Sequence, residues 1–425
     1  MPDATPGPIP PEPPRPRGAF LIVPNIPAER SFAIASGRGG FLVAYSDRHE
    51  REKSDVLALH LNRLGTPHRD GPVRVSDADG DTYLLDRSGE YGVPGVAFDG
   101  SGFGVSFLGF GDVTPEGGDG RGQTASFARV SLDGRTAEAP QVLETEISFS
   151  TAFSALQGPV DVAYAPGAFY TLLQHLMGGI IAPSTTAIWR TTEDEAALPT
   201  SEETLALELL QSDDSVPAIT EAGSEVFVVF SRTRVFTGAE GDEPTGFTVV
   251  SELRGTFLAP GREPRIVLLW EIRATGVPSP LESGPTGIEG QLLVASNGAD
   301  GFLVVWTEGD QIRGLPYERG DPTGEPSAGF LIADAPGEKN LGGLEWLGDH
   351  FLLVWQEAGG ARGRPIRLDG VQGDVFEIDR GPLRPQMAMA QAGNEALVLV
   401  ARINGASEES VDLEGIFVRS DGAGP

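Results

Sequence analysis

The chain has no cysteine, only two lysines (Lys53 and Lys339) and only five histidines in 425 residues. Without cysteine there are no disulfides, no thiolate metal sites and no cysteine nucleophile. The compartment stays open, because a core of this size needs no covalent staple. The histidines, His49, His60, His68, His175 and His350, form no HExxH motif or closely spaced pair, so the zinc-hydrolase pattern is missing. Each reads as a surface or turn residue. There is no G-x-S-x-G elbow and no phosphate-binding loop. No apolar run reaches the roughly 18 residues of a membrane-spanning helix. Positive charge is also scarce, with 31 basic residues against 61 acidic ones and a formal net charge of -30. Such a surface repels phosphates, which argues against a nucleic-acid partner. The acidity suits solubility first, and cation binding or tolerance of salt second.

What is present points to a large, turn-rich β protein. Hydrophobic residues make up 40% and aromatics 8%, enough for a substantial core, and 57 Gly and 34 Pro supply turns. The start, MPDATPGPIPPEPPRPR (residues 1–17), is Pro-rich and has no apolar segment of its own. It reads as a semi-rigid tether, of the kind that follows a removed secretion or lipoprotein signal. The expectation is a secreted or envelope-attached protein, with room for a lipid anchor upstream of the tether. A cytoplasmic protein is the alternative.

Seven short apolar bursts follow, each after a tight-turn phrase: FLVAYS at Phe41, FGVSFL at Phe103, FYTLLQ at Phe169, VFVVFS at Val226, FLVVWT at Phe302, FLLVWQ at Phe351 and ALVLVA at Ala396. Before each turn lies a shorter strand candidate, such as SFAIAS, GVAFD or MAMAQ. After each burst comes a third, ending at a DG- or RG-type turn in all but the third repeat. A fourth follows in six repeats: PVRVSD, PQVLETE, TLALELLQ, RIVLLWEI, GFLIAD and DVFEID. Repeats spaced by tens of residues indicate solenoids, propellers or arrays, and four short antiparallel strands per repeat describe a propeller blade. A strand with one solvated face would alternate. The bursts do not, so both of their faces must be covered, as they are when one blade is sandwiched between two others. The fifth burst position holds Tyr45, Phe107, Phe230, Trp306 and Trp355, bulky residues suited to the widening gap between blades, with Leu173 and Val400 as smaller variants. The seventh repeat stops after its third strand, and GAFLIVPNIPAE near the start matches AGFLIADAPGEK in the fifth repeat. Phe20–Val23 is therefore expected to complete the last blade, burying Phe20, Leu21, Ile22 and Val23, and to close the ring.

The expected architecture is an all-β, seven-bladed β-propeller of four-stranded antiparallel blades, a single domain over residues 18–425 behind the tether. The pattern of a DG turn, FLVVW, IRG and a second DG turn resembles secreted β-propeller repeat proteins common in myxobacteria and related environmental bacteria, over roughly residues 18–422. WD40 repeats fit less well, because the paired GH and WD dipeptides are missing. The resemblance implies a fold and no activity.

Candidate chemistry is sparse. SDADGDTY at Ser76 approaches the turn of sialidase-like propellers but has Ala78 where the Asp belongs. The same stretch places Asp77, Asp79 and Asp81 at alternate positions around a Gly, with Asp86 beyond. Calcium loops bring carboxylates together in this way, so calcium is the one cofactor expected, against a solvated acidic turn. In a four-stranded meander the second-to-third connections and the blade-to-blade links share one face. The longest segments, including LGFGDVTPEGGDGRGQ, HLMGGIIAPSTT and RTRVFTGAEGDEPTG, belong there, and loops on a rigid scaffold are where binding concentrates. The functional expectation is a non-enzymatic binding or scaffolding propeller that engages a protein or glycan at the long-loop face. The alternative is a glycan- or lactone-acting hydrolase using acidic residues around the central channel.

Overall fold

In a computed structural model the protein is described over residues 18–27, 32–50, 53–76, 94–112, 121–147, 155–176, 184–192, 196–197, 211–212, 215–240, 243–259, 262, 264–277, 290–320, 329–358, 360–403 and 410–419. These residues form seven small antiparallel sheets and no helix. Six of the sheets run inner to outer in chain order. In blade 1, for example, Phe32–Gly37, Gly40–Glu50, Lys53–Asn62 and Val73–Arg74 pair in sequence. Blades 2 to 7 begin at Gly95, Ala155, Ala218, Gly290, Asn340 and Leu383, and neighbouring blades pack face to face around a ring.

The bursts are the second strands, and both of their faces are covered. Phe302, Leu303, Val304, Val305 and Trp306 are each fully buried, as are Phe351 to Val354. Their alternate side chains enter different interblade cores. Phe302, Val304 and Trp306 pack toward blade 4, while Leu303 and Val305 pack toward blade 6. The seven fifth-position residues are all buried. Burial of a large apolar side chain stabilises by about 1.5–3 kcal/mol, so each burst contributes to two blade interfaces at once.

The turns follow from their own chemistry. Asp99 Oδ1 accepts from the amides of Ser101 and Gly102, each at 2.7 Å, and Asn297 Oδ1 accepts from Ala299 and Gly301 at 2.9 and 3.1 Å. Gly100 and Gly298 take positive φ in these turns, which glycine adopts without steric cost.

The ring closes as expected. The N-terminal strand, Phe20–Pro27, pairs antiparallel with Ser410–Arg419 as the outermost strand of blade 7. A recurring fit fixes its position. Phe20 lies opposite Gly415, and a Cβ on that glycine would come within 2.6 Å of the ring. Phe330 opposite Gly314 and Phe376 opposite Gly363 repeat the arrangement in blades 5 and 6. The glycine of the third strand is thus a socket for the aromatic ring of the fourth.

Two expectations need correction, and one lies almost wholly outside the described residues. The closing strand does not bury all of Phe20–Val23: Leu21 is 51% exposed, whereas Ile22 and Ile26 are buried. The outermost strand has a solvated face, so it alternates where a middle strand does not. RTRVFTGAEGDEPTG is not a loop. It lengthens a hairpin whose strands, Glu225–Glu240 and Glu243–Leu258, stay in register from Val226↔Leu258 to Thr237↔Phe247. Its β-branched and aromatic residues favour the ladder over a free connection. In blade 3, among the described residues, Ala196–Ala197 pairs with the third strand at Arg190–Thr191, and Gln211–Ser212 pairs with it at Ser184–Thr185. All of TLALELLQ except Gln211 lies outside the described residues, as does the tether.

Candidate functional site

The seven inner strands enclose a central channel of about 710 Å³. Much of its wall is apolar, with Ala33, Val96, Leu293 and Ala388 among the lining residues, and amides stand on it at Gln291, Gln386 and Gln391. The described residues lining it include three carboxylates, Asp161, Glu221 and Glu345, and no Lys, Arg or His. Glu221 and Glu345 each stand one residue before the end of an inner strand, hence at the tight-turn mouth. Asp161 lies four residues before the end of its strand at Ala165, further toward the opposite mouth.

Asp161 joins two blades. Its Oδ1 accepts from Val162 N at 2.9 Å, and its Oδ2 accepts from Ile219 N in blade 4 at 3.3 Å. Burial raises its pKa to about 6, although the two amide bonds favour the anion. Other contacts between blades do comparable work. Gln291 Oε1 accepts from Leu341 N at 2.5 Å between blades 5 and 6, and Ser106 and Thr171 hydroxyls meet at 2.6 Å between blades 2 and 3. Ser215–Val216, just before blade 4, adds a short parallel pairing to the inner edge of blade 5 at Gly290–Gln291.

Glu345 is the most perturbed carboxyl of the channel. Confinement by the walls first, and then the charge of Glu221, together raise its pKa to about 8. Burial also raises Glu221. Both side chains keep accessible surface, but that surface faces the channel lumen. Among the described residues neither has a hydrogen-bond or ion-pair partner. Elsewhere the chain pairs its buried carboxylates with arginine: Asp55 with Arg74, Asp99 with Arg129, Glu252 with Arg254, and Glu225 with both Arg262 and Arg319.

The acidic residues Asp77, Asp79, Asp81 and Asp86 lie outside the described residues, as do most residues of the long connections over 77–93, 113–120, 177–183 and 278–289. Among the described residues no cluster of three or more His, Cys, Asp or Glu could hold a metal ion. Of the histidines, His60 and His68 come together, with ring centroids 6.4 Å apart. Burial lowers the pKa of His60, His68 lowers it further, and Asp133 opposes them. Arg135 Nη2 reaches His68 Nε2 at 3.1 Å, linking the outer turns of blades 1 and 2. His350 is buried with Nδ1 2.5 Å from Asp349 Oδ1. The channel carboxylates were not singled out in the sequence. Each sits in an inner strand of ordinary pattern, and only ring closure brings three distant repeats to one lumen.

No family model and no curated protein matches the chain. Solved structures similar to it include the β-propeller domain of the Trilobed protease from Pyrococcus furiosus, at 9% identity and a TM-score of 0.44 over 92% of this chain and 95% of that one. The Dos1 propeller is similar at 9% identity and a TM-score of 0.43 over 95% of each chain. A structure from a study of two prolyl endopeptidases is 14% identical with a TM-score of 0.43; the match covers 94% of this chain and about half, 51%, of that one. At such identities the likeness concerns the fold alone. Among the described residues no helix is long and apolar enough to cross a membrane.

Proposed function

We propose that the protein is a non-enzymatic binding propeller, secreted or attached to the cell envelope, that holds a small ligand in its central channel and meets a protein or glycan partner at the face of the long connections. One observation carries this reading: a channel of about 710 Å³ whose wall is about half apolar and half polar, with carboxyl and amide groups converging on one lumen. Small-molecule sites have this size. The location outside the cell rests on the resemblance to secreted propeller repeats.

The pair Glu221 and Glu345 favours a second reading, a hydrolase. A carboxyl held near pKa 8 beside a second carboxylate has the environment of a general acid. A single panel tests both readings. Sugars, amino acids, amines and lactones are screened by thermal shift and equilibrium dialysis, and aryl glycosides and lactones are assayed for turnover. The binding reading expects at least one compound class to bind one per chain without turnover, with affinity altered by substitutions in the channel. Turnover abolished by Glu345→Gln would replace it with the hydrolase reading. A panel in which nothing binds at millimolar concentration would overturn the channel as a ligand site.

A further inference from the structure

We propose that the channel binds a linear aliphatic polyamine, with ammonium groups on Glu221 and Glu345 at the tight-turn mouth and on Asp161 further in, and with its methylenes along the apolar wall between them. The proposal rests on the channel being a ligand site, as above, and adds the chemistry of the ligand.

The lumen is charged with one sign. Its described ionisable lining residues are Asp161, Tyr164, Glu221 and Glu345, with no basic residue among them. Arg384 stands one residue outside the lining, before Pro385. The net charge of -30 draws cations toward either mouth. This alone would describe the whole surface, so the contrast in pairing is the stronger point. Carboxylates buried inside the blades have arginine partners, whereas Glu221 and Glu345, which open onto the lumen, have none among the described residues. Confinement by the channel walls disfavours the charged form of both glutamates, and a cation beside them would offset that. Here the missing partner is of ammonium type and has an open lumen through which to arrive.

Spacing gives the ligand its shape. Asp161 bonds the amide of Ile219, two residues before Glu221 on the same inner strand. At about 3.3 Å per residue, those two residues put the carboxylates roughly 6.6 Å apart along the channel axis. A short run of methylenes spans that distance. Alkyl stems suit a wall carrying Ala33, Val96, Leu293 and Ala388, and a guest of this kind fits a lumen of about 710 Å³.

The same geometry gives binding a proton signature. Blades 5 and 7 flank Glu345 with Gln291, Asn297, Gln386, Met387, Met389 and Gln391, none of which titrates. The titratable groups it faces across the lumen are Glu221, Asp161 and Tyr164. Because confinement and Glu221 hold Glu345 at about 8, an arriving ammonium displaces a proton at neutral pH, and affinity rises as pH approaches that value.

The probe is spermidine, titrated calorimetrically into the full chain at neutral pH and physiological salt, in two buffers of different ionisation enthalpy. The variants are Glu221→Gln with Glu345→Gln, Asp161→Asn, and a control pair, Asp369→Asn with Asp374→Asn, which removes two exposed charges from the rim of blade 6. The proposal expects one site per chain, buffer-dependent heat from proton release, and affinity at least tenfold weaker in the channel double variant but unchanged in the rim control. Asp161→Asn should weaken binding less, and near-ultraviolet dichroism confirms that each variant is folded. Equal weakening in the channel and rim variants, or several weak sites without proton release, would mean general attraction to an acidic surface and would sink the proposal. If spermidine fails to bind while another compound of the panel occupies the channel, the polyamine is wrong and the channel reading survives. If no compound binds, both fail.

Discussion

Glu345 shows how one residue can couple the interior of this fold to pH. Its folded-state pKa, about 8, is set first by burial and then by Glu221. The native chain therefore keeps a proton that the unfolded chain releases near the ordinary Glu value, so stability falls as pH rises from that value to about 8. Asp161, at about 6, acts in the same direction over a lower window. His60, held below its ordinary 6.5, acts oppositely and only below that pH. Above about 6.5 the slope thus belongs to the glutamates. Urea midpoints measured in steps from pH 6.5 to about 8.5 should fall in the wild type, and Glu345→Gln, which carries no charge to bury, should flatten most of the fall. A variant curve parallel to the wild type would mean that Glu345 is ionised at no cost. At the same scale, Trp306 is fully buried between blades. Trp306→Ala should cost about 3–5 kcal/mol, the usual range for a large aromatic removed from a core, read from denaturant midpoints at constant slope.

The closing strand is the element on which the ring depends. Ile22 and Ile26 belong to the core shared by blades 1 and 7, which also holds Phe41, Val411 and Leu413. Leu21, on the same strand, faces solvent. Leu21→Asp should therefore leave the denaturation midpoint nearly unchanged, whereas Ile22→Asp places an unpaired charge in the core and should abolish cooperative unfolding or soluble expression. Similar effects of the two would mean that the strand is not docked in this register. The Phe20 socket gives a finer test. Gly415→Val should destabilise by displacing the ring, while Phe20→Ala alone leaves the socket empty. Because the two side chains compete for one space, the double variant should be less destabilised than the sum of the singles, with a coupling of about 0.5–3 kcal/mol.

The whole molecule carries 30 more negative than positive charges. Self-repulsion at that level destabilises the compact state. The screening length shortens from about 30 Å at 0.01 M salt to about 10 Å at 0.1 M, so the melting temperature should rise with sodium chloride over this range. Dependence in the opposite sense would mean that ion pairs such as Arg402 with Asp379 and Glu414 outweigh the net repulsion. Other long-range contacts also bind the ring. Lys339, one of two lysines, is buried with its ammonium on the carbonyls of Asp310, Ala335 and Gly337, tying a turn of blade 5 to the link that leads into blade 6.

The repeat was legible because covering both faces of a strand leaves a mark on the residues themselves: FLVVW and FLLVW abandon alternation, and the bulky fifth position recurs at blade spacing. Closure was legible too, since a missing fourth strand at one end and a spare one at the other are both visible as text. Leu21 was misjudged because the sequence says that a strand is apolar but does not say which edge of a blade it occupies; an outermost strand keeps a face in water. RTRVFTGAEGDEPTG, with its Gly and acidic residues, reads as a connection, and only pairing with GFTVVSELRG makes it a ladder. The channel carboxylates were beyond reach for a different reason. Asp161, Glu221 and Glu345 lie in three separate repeats, 60 and 124 residues apart along the chain, each in an unremarked inner strand. Ring closure alone turns them toward one lumen, and their raised pKa values come from the walls of that lumen and from one another.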